Sequence, residues 1–193
     1  MAQRSITNQY DMLIIGGSAG SLDVLLKLLP ALKDHLHLAV VIIVHRKNTD
    51  SLLAGLLADK TQLPVKEAEE KETISKGTVY IAPADYHLLI EKDKTFSLDY
   101  SERIHHSRPA IDVSFETAAD AYGPKLIALL LSGANADGAE GLAAIKRAGG
   151  ITIVQDPQEA AVSYMPEQAI QASEVDYVAD TETIIEIINR FSP

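Results

Sequence analysis

Along the chain, unbroken apolar runs alternate with segments whose apolar residues recur at helical spacing. Met12 to Gly16 reads as a short buried strand; Leu22 to Leu32 then repeats apolar positions at helical intervals until Lys33 and Asp34 end the run. Ala39 to Val44 and Lys125 to Leu131 are further runs continuous enough for strands buried on both faces. Ala139 to Ala148 predicts a helix closed by Gly149 and Gly150, and Ile151 to Gln155 the strand after it. Thr78 to Ala82, Tyr86 to Ile90 and Thr95 to Tyr100 predict short strands, the last two joined by the charged turn Glu91-Lys92-Asp93-Lys94, and an antiparallel extension is expected there. Pro166 to Ala172 and Thr181 to Phe191 predict helices around a short strand at Tyr177 and Val178.

Strands alternating with helical segments give an α/β class: a doubly wound, mainly parallel sheet flanked by helices, with a small antiparallel extension. A length of 193 residues, 47% of them hydrophobic, suits one domain over 1–193, and no linker or repeat divides it. No apolar run approaches the ~18 residues of a membrane span, and Met1 to Met12 lacks the pattern of a secretion signal, so a cytoplasmic protein without membrane insertion is expected. A formal charge of −10 repels a phosphate backbone and argues against nucleic acid as a partner. The absence of cysteine excludes disulfides, thiolate metal sites and a cysteine nucleophile.

Any covalent chemistry must therefore use another side chain. Gly16-Gly17-Ser18-Ala19-Gly20 is a Gly-x-Ser-x-Gly arrangement set between a predicted strand and a predicted helix, where a nucleophile elbow belongs. Flanking glycines allow a sharp reversal that presents the serine at the carboxyl end of the sheet. Two simpler readings compete: Ser18 or Ser21 caps the helix, or the loop cradles a phosphate on the helix N-terminus. A dinucleotide fingerprint fails, because Ser18 and Ser21 occupy glycine positions and the second strand ends in His45 instead of an acid.

His45 stands at the carboxyl end of a buried strand, the same edge as Ser18; His35, His37, His87, His105 and His106 have no such placement. Asp137 follows the Lys125 to Leu131 run through Ser132-Gly133-Ala134-Asn135-Ala136 and reaches that edge too, although an aspartate just before Ala139 also suits a helix cap. Together they have the charge logic of a Ser-His-Asp triad: histidine takes the serine proton, and aspartate fixes the tautomer and stabilises the imidazolium. The Ala19 amide and an amide from the Gly133 to Ala136 loop are candidate oxyanion donors. This chemistry calls for no cofactor and no metal.

These features resemble the catalytic domain of the chemotaxis receptor methylesterases, the CheB family, from about Met12 to about Ala172. The resemblance rests on the glycine-flanked Ser18, His45 after its strand, Val79-Tyr80-Ile81-Ala82-Pro83, His106-Ser107-Arg108-Pro109 with Asp112, and the Asp137-Gly138 loop, all in family order. It implies hydrolysis of glutamyl methyl esters on the cytoplasmic helices of chemoreceptors or a related signalling protein, with release of methanol, often beside glutamine deamidase activity. It further implies a triad of Ser18, His45 and Asp137, oxyanion donors at the Ala19 and Ala134 amides, and Arg108 lining the substrate cleft. Gly17, Ala19 and Ser21 depart from the family's usual Gly-Ala-Ser-Thr-Gly-Gly loop, Ala134-Asn135-Ala136 replaces Met-Gly-Asn, and Arg46-Lys47 replaces a methionine-proline segment. Many members carry an N-terminal receiver domain, for which the 11 residues before Met12 leave no room, so a catalytic domain without that switch is expected. The altered loops leave a non-catalytic signalling adaptor as the alternative.

Overall fold

The computed structural model describes residues 10–46 and 52–192. Its strands are β1 (Met12–Gly17), β2 (Ala39–Val44), β3 (Val65–Glu67), β4 (Val79–Ile81), β5 (His87–Ile90), β6 (Phe96–Asp99), β7 (Leu126–Leu130), β8 (Ile151–Gln155) and β9 (Tyr177–Ala179). The helices are α1 (Ser21–Leu28), α2 (Leu53–Ala58), α3 (Ile111–Tyr122), α4 (Ala139–Arg147), α5 (Tyr164–Ala172) and α6 (Thr181–Phe191). Seven strands form one parallel sheet in the order β3-β4-β2-β1-β7-β8-β9, and β5 pairs antiparallel with β6 as a separate ribbon.

The period-two alternation of the central strands divides the core. Leu13, Ile15, Val40, Ile42 and Leu129 point to one side, where they meet Leu25 and Leu28 of α1 and Ile184 and Ile188 of α6. Met12, Ile14, Val41, Ile43 and Leu130 point to the other and meet Phe115 of α3, Leu142 of α4 and Met165 of α5. All six residues of β1 are buried, which is why the central strands read as continuous apolar runs. Burying each such aliphatic side chain contributes about 1.5–3 kcal/mol, offset by the entropy of ordering the chain.

Strand order runs outward from β1 in both directions, toward β2 on one side and β7 on the other. Ligands of open parallel sheets collect outside the carboxyl ends of the strands at such a reversal. Ser18, His45 and Asp137 follow β1, β2 and β7, the three strands at the centre.

The α/β class holds, with local differences. The antiparallel part is confined to β5 and β6; β4, expected beside them, joins the main sheet parallel to β2 and β3. The Leu22 to Leu32 helix ends at Leu28, and Leu29–Ala31 tighten into a 3₁₀ turn holding Pro30, which has no N–H to give to the α-helical ladder. Three elements lack a counterpart in the sequence reading: β3, α2 and α3. Helix α3 buries Ile111, Phe115, Ala118 and Ala119, a helical spacing whose later positions are alanines that carry little apolar signal. It is also the helix that holds the site in place.

Candidate active site

Gly16 and Gly17 lie within β1, and each is glycine because a neighbouring side chain leaves no room. A Cβ on Gly16 would stand 2.5 Å from the Ile111 side chain, and one on Gly17 2.5 Å from the Ser21 Cβ. The turn itself falls to Gly20, which caps α1 with φ 83°, in the left-handed region. Neither Ser18 nor Ser21 therefore caps the helix with its side chain: the Ser21 hydroxyl donates to the Ser18 carbonyl at 2.7 Å, and the Ser21 amide donates to it at 3.1 Å. Among the described residues the Ser18 hydroxyl has no hydrogen-bond partner, and its residue is half-buried at the sheet edge.

Register sets His45 beside it. Gly17 pairs with Val44, and the His45 amide continues the ladder by donating to the Gly17 carbonyl at 3.3 Å, so the residues after the pair stand at the carboxyl ends of adjacent strands. The His45 ring is 12% exposed, and its Nε2 lies 2.7 Å from Oδ2 of the fully buried Asp137. A carboxylate only accepts, so Nε2 carries the proton in this contact and Nδ1 is left as the acceptor nitrogen.

Asp137 does not cap the helix that follows it; Gly138, with φ 99°, is the N-cap of α4. It caps α3 from across the site. Its Oδ2 accepts the Ile111 amide at 2.7 Å and its Oδ1 the Asp112 amide at 2.9 Å, the first two N–H groups of that helix. Burial opposes the charge, but the His45 ring N–H and the two amides outweigh it and hold the Asp137 carboxyl below its ordinary value.

Asp112 returns the arrangement. Its Oδ1 accepts the Gly138 amide at 2.9 Å and the Gly141 amide at 2.7 Å at the start of α4, and its Oδ2 lies 3.4 Å from His105 Nε2. Burial, helped by the neighbouring Asp137 charge, pushes the Asp112 carboxyl up to about 6 against the pull of those amides.

The loops bearing Ala19 and Ala134 are tied to each other. Ser18 N–H donates to the Ser132 carbonyl at 2.9 Å, and the Ser132 hydroxyl donates to the Ala19 carbonyl at 2.7 Å while accepting the Val162 amide at 2.9 Å. Neither the Ala19 nor the Ala134 amide finds an acceptor among the described residues, and both residues are exposed. Arg108 is placed differently: its guanidinium stacks 3.8 Å from the Tyr100 ring centroid and donates to the Ser101 carbonyl at 2.7 Å, with no described contact to His45 or Asp137. Beside His45, a hollow of about 340 Å³ is walled by Leu22, Leu25, Val44, Leu53 and Leu56.

Residues 13–188 match the model of the CheB methylesterase family. The chain belongs to that family. It is 47% identical over 182 residues to a Leptospira interrogans protein, covering 94% of each. It is 33% identical over 180 residues to the protein-glutamate methylesterase/protein-glutamine glutaminase of Pyrococcus abyssi, of which it spans 49%. The CheB methylesterase catalytic domain of Thermotoga maritima, a crystal structure, superposes with a TM-score of 0.89 at 34% identity, covering 94% of this chain and 98% of that one. The fold and enzyme class implied by the sequence motifs are thus those of CheB methylesterases.

Within this CheB-family fold, sequence reasoning missed how the site is held. Asp112 entered only as part of a motif block, although an aspartate three residues beyond Pro109 is a helix-start signal. Ser132 and Gly141 gave no local signal, because their partners lie on other elements. Among the described residues no group of histidine and carboxylate side chains is arranged to hold a metal ion, and no helix is long and apolar enough to cross a membrane.

Proposed function

We propose that this protein is a cytoplasmic protein-glutamate methylesterase, a single catalytic domain that hydrolyses glutamyl methyl esters on the helices of chemoreceptors. The observation that carries the reading is the 2.7 Å contact between His45 Nε2 and Asp137 Oδ2, beside a serine hydroxyl that has no partner among the described residues, at the end of the adjacent strand. Ser18 Oγ attacks the ester carbonyl carbon while its proton passes to His45 Nδ1, and the imidazolium so formed is stabilised by Asp137. The amides of Ala19 and Ala134, without an acceptor among the described residues, receive the oxyanion, each such donor lowering the barrier by roughly 3 kcal/mol. Collapse expels methanol, which takes the proton from His45. Water then attacks the acyl-serine with His45 as base, restoring Ser18 and leaving a glutamate on the substrate.

The same steps with ammonia as the leaving group convert a glutamine to glutamate, consistent with the double name of the Pyrococcus abyssi relative. The apolar hollow beside His45 suits the aliphatic side chains that flank a modified glutamate on an amphipathic helix. Arg108, on the loop before α3, serves as a substrate contact once its hold on Ser101 is exchanged for the backbone or a carboxylate of that helix.

Methanol release from a methylated receptor cytoplasmic fragment tests the reading. Ser18→Ala should abolish release and keep the thermal midpoint within about 1 °C, since the hydroxyl bonds to none of the described residues. Unchanged release would reject the serine mechanism. Failure of a fluorophosphonate to label Ser18 in the wild-type protein, together with no turnover, would favour the adaptor.

A further inference from the structure

Asp112 and Asp137 are buried carboxylates on different elements, and each accepts the first amides of the helix adjoining the other. Asp137, one residue before the N-cap of α4, takes the Ile111 and Asp112 amides of α3; Asp112, in the first turn of α3, takes the amide of Gly138, the N-cap of α4, and that of Gly141 in its first turn. The two helix starts are thereby cross-clamped. The clamp is tight, since a Cβ on Gly141 would stand 2.5 Å from the Phe115 Cβ and 3.0 Å from the Asp112 Cα. Gly138, the residue after Asp137, cannot move without losing its bond to Asp112.

We propose that Asp112 is a positioning residue for the Ser18-His45-Asp137 chemistry: it fixes the Asp137-Gly138 turn, and with it the direction of the carboxylate that holds His45. The proposal rests on the triad reading above. Asp137 Oδ2 serves His45 and Ile111 at once, at 2.7 Å each, so a small rotation of the carboxylate weakens both. Rotation is opposed at Oδ1 by the Asp112 main-chain amide and along the backbone by the Asp112 side chain. The groups facing Asp112 are Asp137 with its partner His45, from the loops after β7 and β2, and His105, from the loop before α3. Oδ1 is an acceptor whether the carboxyl is ionised or neutral, so the clamp depends on where that oxygen sits more than on its charge.

The test uses the whole chain, with steady-state methanol release from a methylated receptor fragment and circular dichroism to confirm folding. Asp112→Ala should lower kcat at least 30-fold with KM within about twofold of wild type, because the substrate surface is untouched while the imidazole loses its orientation. Asp112→Asn, which keeps an oxygen at Oδ1, should recover most of that loss, to within about fivefold of wild type. Asp112→Glu keeps the charge but shifts the acceptor by one methylene, and should resemble alanine. Should the alanine variant fail to fold, the contrast between Asn and Glu decides. Wild-type kcat in Asp112→Ala or Asp112→Glu, or an Asn variant as slow as Glu, overturns the positioning role. Ser18→Ala is run alongside: if it is inactive while every Asp112 variant has wild-type kcat, only the positioning role fails. If Ser18→Ala is fully active, the triad fails and the role of Asp112 with it.

Discussion

His45 and Asp137, 92 residues apart in sequence, meet at 2.7 Å between Nε2 and Oδ2 where β2 and the loop after β7 end on one edge of the sheet. Neither side chain is placed by its neighbours in sequence. His45 is set by the parallel register of β1 and β2, and Asp137 by two amides of a helix that begins 26 residues before it.

Asp137→Asn should lower kcat by about a thousandfold or more. Both carboxylate oxygens accept from N–H groups, so either orientation of the substituted amide sets an NH₂ against the Asp112 amide or against His45 and Ile111. The same conflict weakens the start of α3. Methanol release and a thermal melt on one preparation should therefore both fall.

Gly141→Ala tests the close approach of α3 and α4. The new methyl would stand 2.5 Å from the Phe115 Cβ and 3.0 Å from the Asp112 backbone, and overpacking of this kind costs about 1–3 kcal/mol. Urea unfolding should show a lower midpoint with an unchanged slope.

Ser132→Ala removes a hydroxyl that joins the Ala19 carbonyl to the Val162 amide. The stability loss should be about 1–2 kcal/mol, because the Val162 N–H is left without its acceptor. With the Ala19 loop loosened, kcat for methanol release should fall about tenfold while KM holds.

The two carboxylates should give opposite slopes of stability against pH. Asp112 is raised from 3.8 to about 6 in the folded protein, so its contribution is complete below the unfolded value and is lost as the pH rises through about 6. Asp137 is depressed, so its contribution is present above the unfolded value and is lost only as the pH falls through its lower folded value. Between about pH 7.5 and pH 5 only the Asp112 slope operates. Urea midpoints should show the wild type gaining stability relative to Asp112→Asn on going from the higher to the lower pH; a constant difference would refute the assignment.

Much of the sheet could be read directly from the chain. Met12 to Gly17 are buried throughout, and Ala39 to Val44 and Ile151 to Gln155 at all but one end residue each, and largely apolar runs of that length have few other uses. The place of β4 in the sheet was hidden, because Val79–Ile81 is three residues long, β2 is distant in sequence, and β3, Val65–Glu67, has no apolar run to mark it. Helix α3 was hidden by alanine at Ala118 and Ala119, whose burial depends on what packs over them.

The sequence by itself determined the class of the fold and the residue types at the ends of its central strands, because hydrophobic period and glycine-serine turn chemistry are local properties. It placed Ser18, His45 and Asp137 at one edge and showed that no cysteine competes with them. Only the tertiary structure decided that Asp137 caps α3 and not α4, that Asp112 caps α4 in return, and that Nε2 is the nitrogen facing the carboxylate. A hydrogen bond between groups tens of residues apart has no local signature; it exists only once packing has brought two helix starts and a strand end within about 3 Å of one another.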